Sequence, residues 1–209
     1  SYSFTPSRSG VRSPLRPYVT YIMTVHYPFK IPLLQYTVPN WCHYKPILLD
    51  RLPPYERKGD TVSTDYLDKS KSNYFDIFDE FIEPVLQQFR EDVGHAAYIR
   101  NVWTQRARKG DHHCVHNHGS NGWAAVLYVD YNPDIHTATT FMSPFTDFST
   151  GDHMDYNPNV KEGDIVFFPS QLLHYANPNT SDRERVILSF NMMGVNEIDL
   201  YEMKLNETN

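Results

Sequence analysis

Trp123-Ala124-Ala125-Val126-Leu127-Tyr128-Val129-Asp130-Tyr131 reads as a β-strand. Aromatic and β-branched side chains fill it, and turn residues 132–134 close it. The pattern repeats on both sides. Residues 97–105, with Tyr98, Val102 and Trp103, form a strand before it. Residues 137–142, 164–168, 172–176 and 185–192 form strands after it. Segments rich in Gly, Asn, Asp and Pro separate them at 109–111, 149–159, 162–164 and 177–182.

The N-terminal half differs. In residues 72–94, Phe78, Phe81, Ile82, Val85, Leu86, Phe89 and Val93 recur at three- and four-residue steps. That spacing builds one apolar stripe of a helix, with Gly94 as C-cap. Pro84 inside it predicts a kink or two shorter pieces. Residues 37–52 read as a second helical region, N-capped by Asn40 and stopped by Pro53-Pro54. Residues 57–65 read as a polar loop. Short strands behind a helical half predict a mainly β protein with N-terminal helices (α+β), a β-sandwich or jelly roll buttressed by helices.

Composition agrees. Of 209 residues 14% are aromatic, which favours strands, and 15 prolines argue against long helices. The length suits one domain, read as 23–209 with a catalytic core at about 96–193. Residues 1–22 are rich in Ser, Pro, Arg and Tyr, and the first methionine is Met23. They read as a basic arm over the domain or as a stretch upstream of the natural start. Two cysteines, Cys42 and Cys114, are too few for a disulfide scaffold, so a reduced, cytoplasmic setting is expected. No apolar run reaches the roughly 18 residues of a membrane span. Net charge is −6, while residues 1–49 hold five basic and no acidic side chains, leaving −11 (−6 − 5) on the rest. That acidic body argues against unaided nucleic-acid binding.

The chemistry concentrates in His116-Asn117-His118, then His174, then Arg185. Imidazoles at i and i+2 share one face of a strand. A distant third imidazole completes one side of a metal, with coordination positions left open, as an Fe(II) oxygenase needs. His112 and His113 are neighbours that face opposite ways in extended chain. His174 stands among apolar residues. The 177–182 turn reverses the chain, which predicts that the strand starting at Arg185 runs back beside His174. A buried arginine needs an anion, and a guanidinium grips a carboxylate with two parallel hydrogen bonds. A salt bridge to Glu162 or Asp164 is the plainer alternative.

These residues carry a resemblance. His116-Asn117-His118-Gly119-Ser120, the strand Ala125–Val129, Glu162-Gly163-Asp164, Phe168-Pro169-Ser170, His174 and Arg185-Val186-Ile187-Leu188-Ser189-Phe190-Asn191 resemble the 2-oxoglutarate/Fe(II)-dependent oxygenases. More narrowly they are similar to oxygenases of bacteria and marine bacteriophages with an HxHxxS, FPS, H, RxxxSFN pattern. The first element is one residue shorter here. The resemblance covers about residues 98–193, and its FPS-to-SFN stretch is the most specific part. It implies a double-stranded β-helix, with Fe(II) and 2-oxoglutarate as cofactors and O2 as co-reactant. His116, His118 and His174 would be the metal ligands. Arg185 would bind the far carboxylate of 2-oxoglutarate, with Tyr128 and Ser189 as helpers. Hydroxylation of a protein side chain or small molecule would follow, with phage-encoded action in a host cytoplasm.

The wider superfamily usually has a carboxylate where His118 stands. Three imidazoles leave the metal at +2 rather than +1. Asp111 and Asp130 are the acidic alternatives, though neither has the i+2 spacing. Two other readings stand beside the oxygenase: a cupin-like three-histidine enzyme that uses no 2-oxoglutarate, and a non-catalytic jelly-roll binding module. The sequence names neither the substrate nor the oligomeric state.

Overall fold

The apolar stripe forms the helix α2 (Phe75–Val93), whose Ile77, Phe78, Phe81, Ile82, Val85, Leu86 and Phe89 are buried. Residues 29–56 and 61–195 are described by the computed structural model. Their elements all fall in one unit that begins at Ile31. The 1–22 arm lies outside the described residues. In chain order the other elements are β1 (Leu34–Thr37), α1 (Trp41–Arg51), β2 (Ser63–Thr64), β3 (Ala96–Ala107), β4 (His113–His116) and β5 (Trp123–Asp130). They continue with β6 (Thr140–Thr146), β7 (His153–Tyr156), β8 (Asp164–Pro169), β9 (His174–Ala176) and β10 (Arg185–Val195).

A six-stranded sheet has the order β1-β8-β5-β10-β3-β2, and a four-stranded sheet the order β4-β9-β6-β7. Every pairing between these strands is antiparallel. From β3 onward the chain crosses between the sheets, which makes a double-stranded β-helix. Two apolar layers hold it. One lies between the helices and the larger sheet, where Phe89 stacks on Phe167 at 4.5 Å and Phe78 meets Phe190 edge-on at 5.5 Å. The other fills the sandwich with Val126, Tyr128, Phe141, Val166, Phe168 and Ile187. Each buried aromatic of this kind contributes about 1.5–3 kcal/mol.

Several expectations change. Thr37 ends a strand, because β1 pairs with β8, and helix begins only at Trp41. Asn40 occupies the N-cap place with φ 54°, but its side chain makes no capping bond. Of the expected polar loop, residues 57–60 lie outside the described residues, and Ser63–Thr64 pairs with β3. Pro84 does not split α2. It lies on the exposed side, where the carbonyl that loses its donor meets water. The 149–159 segment contains β7. The largest correction concerns β9 and β10, which are not paired with each other. They belong to opposite sheets, so the 177–182 turn is a crossover between layers rather than a hairpin.

Gly163 ends the turn before β8 with φ +80°, and a Cβ there would meet Trp41 Cγ at 2.5 Å. Gly163→Ala is expected to cost about 2–4 kcal/mol, from a left-handed backbone plus an overpacked contact. Gly151→Ala, at φ +77° with nothing within 4 Å, should cost only about 1–2 kcal/mol. Denaturant melts of the two variants measure the difference.

Candidate metal centre

β4 and β9 place the first two imidazoles. His116 and His174 are register partners, and their ring centroids are 4.3 Å apart. His118 lies just past the end of β4, held by its backbone N–H donating to Ser170 O at 2.8 Å. Its ring centroid is 5.0 Å from that of His174 and 5.2 Å from that of His116. One ring nitrogen from each residue falls within 4.8 Å of the others. The strand face expected for His116 and His118 is therefore a strand end plus a loop, with the same convergence.

The far side of each ring is already engaged. His116 Nδ1 bonds Cys114 O at 2.8 Å, and His174 Nδ1 bonds Leu172 O at 2.9 Å. A carbonyl only accepts, so both Nδ1 atoms carry the proton and both Nε2 lone pairs are left for a ligand. His118 Nδ1 bonds the side-chain oxygen of Asn191 in the same sense. Such outer bonds fix the ring orientation and raise ligand basicity. This donor set fits a divalent iron with open positions.

Burial favours the neutral ring at His174 and His118. His174 is 4% exposed, flanked by Phe168 and Phe141. Its burial pushes the pKa down to about 3, against the opposing pull of the Leu172 carbonyl. His113, whose ring lies 4.1 Å from that of His116, is pushed down to about 4 by burial and by the neighbouring histidines. His118 is lowered by burial too, and its bond to Asn191 works the other way. Trp103 stacks on His118 at 5.5 Å. The acidic alternatives are engaged elsewhere. Asp111 accepts from Tyr55 and from the Arg108 backbone, and Asp130 pairs with Lys45 and Arg183.

Arg185 is 4% exposed. Its guanidinium donates to Thr137 O at 2.8 Å and Asn177 O at 3.4 Å. No carboxylate among the described residues pairs with it. Glu162 binds Lys45 and Arg183, and Asp164 accepts from Thr37 and Gln35. Burial lowers the arginine's pKa. Tyr128, 1% exposed, interacts electrostatically with Arg185, and its hydroxyl oxygen accepts from Thr139 N at 3.2 Å. Ser189, 3% exposed, shares the inward face of β10 with Arg185 and Ile187. Among the described residues, the sandwich thus holds a buried cation without an anion. Beside the imidazoles a cleft of about 370 Å³ opens, with Val62, Thr64, Tyr66, Trp103 and Gln105 on one side.

Gln105 was not singled out from the sequence, and Asn191 entered only as the end of the RxxxSFN stretch, with no site role given to it. The signal for Asn191 was its even spacing from Arg185, which puts both on one strand face.

The lowered pKa values have a consequence for the metal-free protein. The unfolded chain binds more protons than the folded one between about pH 4 and 6.5. Stability is fully present above that window and falls as pH drops through it. A melt at about pH 5 should give a lower Tm than one at about pH 7, and His174→Gln should narrow the gap.

Comparisons with known proteins follow the same line. A family model described as "Putative 2OG-Fe(II) oxygenase" matches residues 101–191. No curated protein sequence matches the chain. Among solved structures the chain is similar to HygX from Streptomyces hygroscopicus, determined with nickel, 2-oxoglutarate and hygromycin B bound. Identity is 13%, covering 77% of this chain and 82% of that one, with a TM-score of 0.58. It is similar to the viral collagen prolyl hydroxylase of Paramecium Bursaria Chlorella virus-1 in its 2OG complex, at 14% identity, 78% and 96% coverage, and TM-score 0.51. It is also similar to the α-ketoglutarate-dependent epimerase SnoN of nogalamycin biosynthesis, at 14% identity, 77% and 78% coverage, and TM-score 0.57. At such identities the structural likeness establishes the fold. Residues 101–191 carry the sequence pattern of the 2-oxoglutarate/Fe(II) oxygenases on that double-stranded β-helix, a family of oxidoreductases whose cofactors are Fe(II) and 2-oxoglutarate, and the three-histidine group of this chain suits such a metal.

Proposed function

We propose that the chain is a 2-oxoglutarate- and Fe(II)-dependent dioxygenase that hydroxylates a protein side chain or a small molecule, within a single domain from residue 23. The observation that carries this reading is the pairing of two features in one sandwich. Three imidazoles turn free nitrogens to one point. A buried guanidinium stands without a carboxylate among the described residues. A cupin-like enzyme needs no such cation, and a binding module needs neither.

In this reading His116, His118 and His174 hold the iron. Arg185 takes the far carboxylate of 2-oxoglutarate, with the Tyr128 and Ser189 hydroxyls beside it. When bound, iron, 2-oxoglutarate and O2 supply oxidising power, and the co-substrate leaves as succinate and CO2. The protein's part is position and shielding. The Cys114 and Leu172 carbonyls hold two rings in the metal-ready tautomer. Asn191 does the same for His118 with a neutral amide, so the ring gains no anionic partner and the metal keeps its full charge. Phe141 and Phe168 keep water from His174.

An anaerobic titration with Fe(II) and 2-oxoglutarate tests the reading through the visible charge-transfer band. A saturable band is expected, and its absence in the wild-type protein sinks the proposal. Arg185→Ala should raise the 2-oxoglutarate dissociation constant about 100-fold, about 2.8 kcal/mol. Asn191→Ala should lower iron affinity by about 10- to 100-fold, read by competition with a chelator. An unchanged affinity would remove Asn191 from the support of His118.

A further inference from the structure

Gln105 is 6% exposed, and its side-chain amide makes no hydrogen bond with any described residue. The residue lines the cleft beside the imidazoles, and neither of its polar atoms is sealed from solvent there. It sits on β3 opposite Ile187 of β10 and Thr64 of β2. A carboxamide offers two donors and an acceptor oxygen. They are open to solvent. A ligand that shuts solvent out must offer both a donor and an acceptor, or a buried amide is left unmatched.

The other walls narrow the choice. Thr64 and Asn117 bring a hydroxyl and an amide, and Val62 and Tyr66 bring apolar surface. Tyr66 is 48% exposed and meets Trp103 edge-on at 5.0 Å. Among the described residues, no Asp, Glu, Lys or Arg lines this cleft. Away from the imidazole end, a charged group of either sign would lose its hydration there without a partner among these lining residues. Arg185 and Tyr128 are not among the lining residues, so the cleft is distinct from the arginine end of the sandwich.

We propose that Gln105 is the specificity-determining residue of the substrate subsite, and that the subsite takes an uncharged amide packed beside Tyr66. The amide belongs either to a peptide backbone or to a side-chain-type carboxamide. The word substrate rests on the oxygenase reading. Recognition of the amide does not.

The test follows the Gln105 side-chain NH2 resonances of the 15N-labelled full chain, loaded with Zn(II) and 2-oxoglutarate and also metal-free. The probes are N-acetylglycinamide for the backbone type, propionamide for the carboxamide type, and acetate and methylammonium as charged groups of similar size. A saturable shift is expected with an amide probe, and the stronger of the two names the source. The ions should give none. Gln105→Leu should raise the amide dissociation constant about tenfold and leave 2-oxoglutarate affinity within about twofold. Silence of both amides, or an equal response to the ions, overturns the proposal. So does a Gln105→Leu variant whose main loss is 2-oxoglutarate binding, since Gln105 would then serve the co-substrate. A clear amide response alongside a missing iron charge-transfer band would support the subsite and sink the oxygenase reading alone.

Discussion

Strand β10 sends Val186, Leu188, Phe190 and Met192 against the helices, and Arg185, Ile187, Ser189 and Asn191 to the opposite side. That alternation has a period of two, and a shift of one residue would exchange the two sets. Four apolar side chains would then enter the site, and an arginine would enter the helix layer. Burial of Phe190 and Leu188 between sheet and helices therefore holds the register that points Arg185 and Asn191 inward. The pairing of β10 with both β3 and β5 extends the same lock to Trp103, Gln105 and Tyr128. Site geometry is in this sense a by-product of core packing on the other side of one sheet.

Electrostatics sets a second constraint. Three imidazoles crowded together would repel one another if protonated, and burial in the sandwich keeps His174 neutral well below its ordinary value. The same burial leaves Arg185 with carbonyl partners and no counter-charge among the described residues. Both features cost stability in the empty protein. An anion bound at the arginine would relieve the second, which would tie ligand binding to folding stability. Neighbouring charges are kept from doing so. Lys45 and Arg183 engage Glu162 and Asp130.

Much of this was legible in the residues, and the reasons for the gaps are physical. The stripe of α2 and the strand at 123–130 show their period within one window, so they could be read locally. His116, His118, His174 and Arg185 were expected to converge, and the structure brings the histidines together with Arg185 in the same sandwich. The expected route was wrong, because a turn of Asn, Pro, Ser and Asp looks alike whether it joins paired strands or crosses between sheets. β2, β4 and β7 are two to four residues long. Their identity comes from distant partners, and no local period could announce them. Gln105 was invisible for a related reason, since an unmatched amide is a property of surroundings.

The segment that carries β2 shows how the two halves of the chain divide their labour. Asp65, 5% exposed, accepts from Ser72 Oγ at 2.5 Å, Tyr74 Oη at 2.9 Å and the Thr104 backbone at 2.8 Å. Lys69 lies 3.2 Å from the same carboxylate and donates to Val102 O at 2.7 Å. These bonds grip β3 on both sides of Trp103, the residue that stacks on His118. They also fix the stretch that brings Val62, Thr64 and Tyr66 to the cleft. A buried carboxylate this fully engaged would be costly to leave unmet, so the segment has one seat on the sheet. The imidazoles and the arginine come from the C-terminal half, while one wall of the cleft comes from residues before β3. Changes at Val62, Thr64 or Tyr66 would then alter which molecule is accepted without replacing a metal ligand, because these residues line the cleft from a separate stretch of chain.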